Sequence, residues 1–101
     1  MGVREDIAMQ ILFEREHCCS AAYDGDKRIG IVEIEDADGR WIITHTRVDP
    51  AYGGQGIARR LIEAVITEAR SRGKKIAPLC SYAEKMMSGK AEYRDVLADA
   101  T

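Results

Sequence analysis

Gly53, Gly54 and Gly56 fall between a β-branched run that closes at Pro50 and an apolar helical pattern that opens at Ile57. A helix start offers N–H groups without intrahelical acceptors, together with the positive end of the backbone dipole. Glycine lets a phosphate approach that backbone with no Cβ in the way, so this spacing suits an anion. Arg59 and Arg60 stand in the first helical turn, where the dipole disfavours cations by roughly a few tenths of a kcal/mol each. A bound phosphate would reverse that cost. The alternative reading is a plain flexible connection flanked by solubilising arginines. The glycines match neither a Walker loop, since no Lys-Ser or Lys-Thr follows them, nor the dinucleotide fingerprint, whose spacing differs.

Other residues with chemical capacity are few. His45 is expected to share a strand face with Trp41, Ile43 and Arg47, where it can be a base or part of an acceptor site. A histidine hydrogen-bonded at the edge of the core is the other reading. His17, Cys18 and Cys19 suggest a metal with Cys80 and His45, but adjacent strand residues point to opposite faces. No zinc-type spacing is present either, so no metal is expected. Met86 and Met87 read as core packing, and Tyr93 as an anchor for a terminal helix.

The elements that position these residues follow from periodicity. The segment from Ile7 to Phe13 is apolar enough for a strand or a helical turn, and its type stays open. His17 to Tyr23 reads as a strand ending in the tight turn Asp24-Gly25-Asp26. Ile29 to Glu35 returns, and Asp36-Ala37-Asp38-Gly39 leads into the strand Trp41 to Val48. These make an antiparallel meander. From Ile57 to Arg72, Ala58, Leu61, Ile62, Val65, Ile66 and Ala69 recur at helical spacing, and Gly73 stops the helix. A strand from Lys75 to Cys80, a helix from Tyr82 to Ser88 and a last helical piece from Glu92 to Ala98 complete the reading. Strand, helix and strand form a crossover, which implies parallel pairing. The fold class is α/β, with a mixed sheet that is antiparallel first and parallel last.

The 101 residues suffice for one domain, 1–101, and 46% hydrophobic content allows one small core. A net charge of −2 lacks the concentrated basic excess of a nucleic-acid binder. No apolar run reaches membrane-spanning length, and the acidic start Glu5-Asp6 is unlike a signal peptide. Gly2 lacks the Ser or Thr at position 6 that myristoylation requires. Three cysteines, two of them adjacent, argue against a disulfide framework, and a cytoplasmic protein is expected.

Val48-Asp49-Pro50, then Gly54-Gln55-Gly56-Ile57-Ala58 and Leu61-Ile62 resemble motif A of the GNAT acyltransferase superfamily. That motif reads Val-x-Pro, a short spacer, Arg/Gln-x-x-Gly-x-Gly/Ala and an apolar helix. Gly53 stands where Arg or Gln is usual, a departure that removes a side chain and leaves the backbone donors. His45-Thr46, Pro78-Leu79-Cys80 and Glu92-Tyr93 narrow the likeness to small single-domain GNAT-like proteins of about 100 residues, over the chain from His17 onward.

The resemblance implies a minimal GNAT-like fold in which two strands splay apart and pantetheine enters the gap. Arg47 and Val48 would then line pantetheine, while Gly53, Gly54, Gln55, Gly56, Ile57, Ala58, Arg59 and Arg60 surround the pyrophosphate of acetyl-CoA. It implies Tyr82 as proton donor to the leaving thiolate, or as a helix anchor. Cys80 becomes a thiol that takes or contacts the acyl group, with the following helix and Lys85 lowering its pKa, or else a small buried hydrophobe. Larger members place two helices between the first strands, where here only Asp24-Gly25-Asp26 intervenes, so the acceptor site is open or absent. The implied activity is N-acetyl transfer from acetyl-CoA to an unidentified amine or protein, by a monomer or weak homodimer. The alternatives are an acyl-CoA-binding sensor or Cys80-based carrier, and an interaction domain with no ligand.

Overall fold

The computed structural model describes residues 9–14 and 19–98. Five strands, β1 (Met9–Glu14), β2 (Cys19–Asp24), β3 (Lys27–Ala37), β4 (Arg40–Val48) and β5 (Lys75–Pro78), form one sheet in chain order. The first four pair antiparallel, and β4 pairs parallel with β5. Helix α1 (Ile57–Arg72) makes the crossover, and a second helix, α2 (Ser81–Met87), follows β5. Among the described residues, no helix is long and apolar enough to cross a membrane.

The segment whose type the sequence left open is strand β1, so the meander has four strands. Asp24-Gly25-Asp26 therefore joins the second and third strands, and residues 15–18 join the first two. Ile7, His17 and Cys18 lie outside the described residues. The β3–β4 turn places Asp38 at φ 55° and Gly39 at φ 81°. Two positive φ values in succession match the twist of the flanking strands, and an Asp-Gly pair is suited to them.

Helix α1 runs over the span its periodicity predicts and ends at Gly73, whose N–H bonds back to Ala69 and Arg70 carbonyls. It buries Ile57, Leu61, Ile62, Val65, Ile66 and Ala69 against Ala22, Ile29, Val32, Ile34, Trp41 and Ile43 of the sheet. Each large aliphatic side chain so buried contributes about 1.5–3 kcal/mol. Gly30 lets the helix sit close: a Cβ there would lie 3.1 Å from Leu61 Cδ1 and 3.3 Å from the Arg47 carbonyl oxygen.

Two sequence expectations fail toward the end of the chain. Strand β5 stops at Pro78, and Cys80 becomes the residue that caps α2. The segment Glu92 to Ala98 is not a helix. It holds a 3-10 turn at Ala91–Tyr93 and then runs along β5, with Leu97 bridging Ile76. Ile76 N–H donates to the Val96 carbonyl at 2.6 Å, and Ala98 N–H donates to Ile76 at 2.8 Å. The unpaired edge of β5 needed those partners, and this requirement outweighed helix propensity. Arg70 fixes the tail through Asp95 (2.9 and 3.1 Å) and the Glu92 carbonyl (2.6 Å). Tyr93 is buried, as an anchor should be, although in a 3-10 turn.

Candidate active site

The β4–β5 ladder runs from Arg40–Lys75 to Ile43–Pro78 and stops. Leu79 and Cys80 both turn their N–H groups back to the Ile43 carbonyl, at 3.1 and 3.0 Å. From Thr44 to Val48, β4 therefore has no strand partner on that side among the described residues, and the two strands part.

A β-bulge decides which side chains face the gap. In the β3–β4 register, Glu33 opposes His45 but Ile34 opposes Ile43, so Thr44 is the extra residue. Before the bulge Trp41 and Ile43 are buried; after it His45 and Arg47 are exposed, while Thr46 and Val48 turn inward. His45 thus does not share the face of Trp41 and Ile43, contrary to the plain alternation. Its Nδ1 lies 3.4 Å from Glu33 Oε1 on the outer face. Thr46 takes the inward place, and sequence reasoning missed it as a site residue. Counting back by two from Val48 would have found it.

Thr46 Oγ1 lies 3.3 Å from Cys80 Sγ. Burial pushes the Cys80 thiol up, but hydrogen bonding from Thr46 and the N–H groups of Ala83 and Tyr82 outweighs it and holds the thiol below its ordinary range. Those α2 amides approach the sulfur without closing a formal cap bond. The following helix therefore supports the thiolate as expected, but Lys85 is not among the causes. Lys85 instead lines a pocket of about 310 Å³ beside the start of α1, with Arg59, Tyr82, Met86, Lys90, Glu92 and Tyr93. Tyr82 is 45% exposed there.

The glycine loop reaches α1 through a 3-10 turn at Pro50–Tyr52, capped by Asp49 Oδ1, which accepts from Ala51 N–H at 2.9 Å. Tyr52 donates its hydroxyl to Asp24 Oδ2 at 2.7 Å and moors the loop to the β2–β3 turn. Gly56 caps α1 at φ 74°, a left-handed conformation that a side chain resists. Arg60 N–H donates to the Gly56 carbonyl, while the N–H groups of Ile57, Ala58 and Arg59 precede the first helical acceptor. Gly54 and Gly56 have open space where a Cβ would stand, and no acid occupies the first turn. Arg59 bonds Glu63 at 3.3 Å, and Arg60 has no ion-pair partner among the described residues. Open backbone donors, absent acids and a free guanidinium fit a pyrophosphate.

A family model described as GCN5-related N-acetyl-transferase matches residues 19–96. The chain belongs to this family. Among solved structures, a GCN5-like candidate N-acetyltransferase from Staphylococcus aureus is 26% identical with a TM-score of 0.72, over 93% of this chain and 92% of that one. The ribosomal-protein-S18-alanine N-acetyltransferase of Escherichia coli is 18% identical with a TM-score of 0.60, covering 74% of this chain and 54% of that one. The ribosomal-protein-alanine N-acetyltransferase of Brucella melitensis biovar Abortus 2308 is 22% identical at 0.52, over 82% and 62%. These last two share the fold, and this chain spans only part of their length. No curated protein sequence matched the chain.

Proposed function

We propose that this chain is a single-domain, cytoplasmic N-acetyltransferase that takes its acetyl group from acetyl-CoA and passes it to an amine. The observation that carries the reading is the splay between β4 and β5, flanked by the open N-terminus of α1 on one side and the Thr46–Cys80 pair on the other. Gly53 to Ala58 would hold the pyrophosphate through backbone N–H groups, with Arg59 and Arg60 adding charge. The backbone of Arg47 and Val48 would flank pantetheine along the unpaired edge of β4. When bound, acetyl-CoA supplies an activated thioester, whose transfer forms a C–N bond and breaks the C–S bond.

The chain's own groups then divide the proton work. His45, steadied by Glu33, faces the open side of the sheet and accepts the proton lost by the attacking amine. Tyr82, exposed beside the start of α1, donates a proton to the departing sulfur. A second reading has an observation of its own: Cys80 is a thiol held below its ordinary pKa, so an acetyl group could rest on it before transfer.

The test is incubation with acetyl-CoA, following free thiol release with an amine present and intact mass without one. Direct transfer predicts turnover that survives Cys80→Ala, and no stable mass gain. A mass gain of one acetyl group that Cys80→Ala abolishes would instead establish the carrier. Neither turnover nor labelling, with any amine supplied, contradicts both.

A further inference from the structure

The glycine loop is held at two ends, and one of them is fixed by a distant part of the sheet. At its far end Ile57 is buried as the first residue of α1. At its near end three contacts tie the entrance of the loop to the β2–β3 hairpin. The Asp49 N–H donates to the Ile29 carbonyl at 2.8 Å, and Lys27 Nζ lies 4.0 Å from Asp49 Oδ2. Tyr52 donates its hydroxyl to Asp24 Oδ2 at 2.7 Å, and Lys27 stands over its ring, 6.0 Å from the centroid. That ring also packs against the core, so the hydroxyl reaches Asp24 from a settled position.

Between Tyr52 and Ile57 the backbone has little else to hold it. Gly53, Gly54 and Gly56 have no side chains, and Gln55 is exposed. The N–H groups of Tyr52 and Gly53 close the 3-10 turn onto the Asp49 and Pro50 carbonyls at 2.8 and 3.1 Å. Those of Gly54, Gln55 and Gly56 have no backbone acceptor among the described residues. Glycine has more backbone freedom to lose than any other residue, so ordering these donors around an anion costs conformational entropy. A bond that fixes Tyr52 removes part of that cost before the ligand arrives.

We infer that Tyr52 and Asp24 are positioning residues for the cofactor: their hydrogen bond preorganises the glycine loop, so that affinity for acetyl-CoA depends on the β2–β3 turn, 28 positions away from Tyr52. The inference rests on the acetyl-transfer reading and adds two residues to which that reading gives no role. The coupling is one of populations. Without the Tyr52 hydroxyl the loop samples conformations in which its donors diverge, and apparent affinity falls with the fraction that stays competent. A hydrogen bond to a carboxylate shifts such an equilibrium by roughly tenfold, which sets the scale of the effect.

The experiment pairs calorimetric titration with acetyl-CoA and amide hydrogen exchange of the ligand-free chain, read by NMR. The proteins are wild type, Tyr52→Phe, Asp24→Ala, Asp24→Asn and the double variant Tyr52→Phe, Asp24→Ala. Tyr52→Phe keeps the ring and is expected to weaken acetyl-CoA binding about three- to tenfold. Exchange should quicken at Tyr52 and Gly53 and stay unchanged at Leu61 and Val65 of α1. Asp24→Ala should match Tyr52→Phe, and the double variant should bind no more weakly than either single change. Asp24→Asn keeps an oxygen acceptor and should stay within about twofold of wild type. Wild-type affinity in Tyr52→Phe, or additive losses in the double variant, overturns the inference. So does faster exchange throughout α1, because the bond then supports the whole fold and not the loop. Failure of the cofactor reading looks different: wild type itself does not bind acetyl-CoA, and the inference falls with it.

Discussion

Thr46 and Cys80 stand 34 positions apart in the chain, yet Oγ1 and Sγ lie 3.3 Å apart at the point where β4 and β5 part. The bulge at Thr44 turns Thr46 inward, and the end of β5 at Pro78 leaves Cys80 to cap α2. A contact between one strand's irregularity and another's termination marks the centre of the candidate site.

That contact predicts unequal thiols. Cys80 is held below its ordinary pKa, whereas burial and a hydrogen bond to Glu14 push Cys19 up to about 11. In a Cys18→Ser background at neutral pH, iodoacetamide is expected to label Cys80 quickly and Cys19 slowly, as read by peptide mass mapping. Thr46→Val should slow Cys80 labelling, because the hydroxyl that supports the thiolate is gone. Equal rates at both cysteines, or an unchanged rate in Thr46→Val, would refute the arrangement.

Cys19 carries a pH prediction of its own. Its thiol keeps its proton in the fold at pH values where the unfolded chain, titrating near 9, would release it. The folded state then binds more protons, so stability falls as pH rises. The contribution is complete below about 9 and is lost as pH climbs toward about 11. Urea denaturation across that range should show a steeper alkaline decline for wild type than for Cys19→Ala. Parallel profiles would count against it.

The Ser20 hydroxyl is fully buried and has no hydrogen-bond partner among the described residues. An unsatisfied buried hydroxyl costs about 1–3 kcal/mol, so Ser20→Ala is expected to stabilise the fold by about 1 kcal/mol. Thermal denaturation checks this, and a lower melting temperature would mean that the hydroxyl has a role.

Much of this was legible in the sequence because the signals were local. The bounds of α1 follow from Gly56, Gly73 and an unbroken apolar stripe between them, all encoded within one segment. The glycine loop was readable for the same reason. The face of His45 was not, because a bulge depends on how two strands pair, and alternation counted from Trp41 crosses it unawares. The tail after Ala91 was misread as helix because its fate was set by the unpaired edge of β5 and by Arg70, both distant in sequence.

Isothermal titration of the purified chain with acetyl-CoA tests the central claim most directly, with Gly56→Glu as the comparison and circular dichroism confirming that the variant folds. The account predicts saturable micromolar binding to wild type, a raised melting temperature with ligand, and loss of both in Gly56→Glu, where a side chain and a negative charge enter the open cap of α1. No heat of binding at millimolar ligand, or binding unchanged in Gly56→Glu, would contradict it.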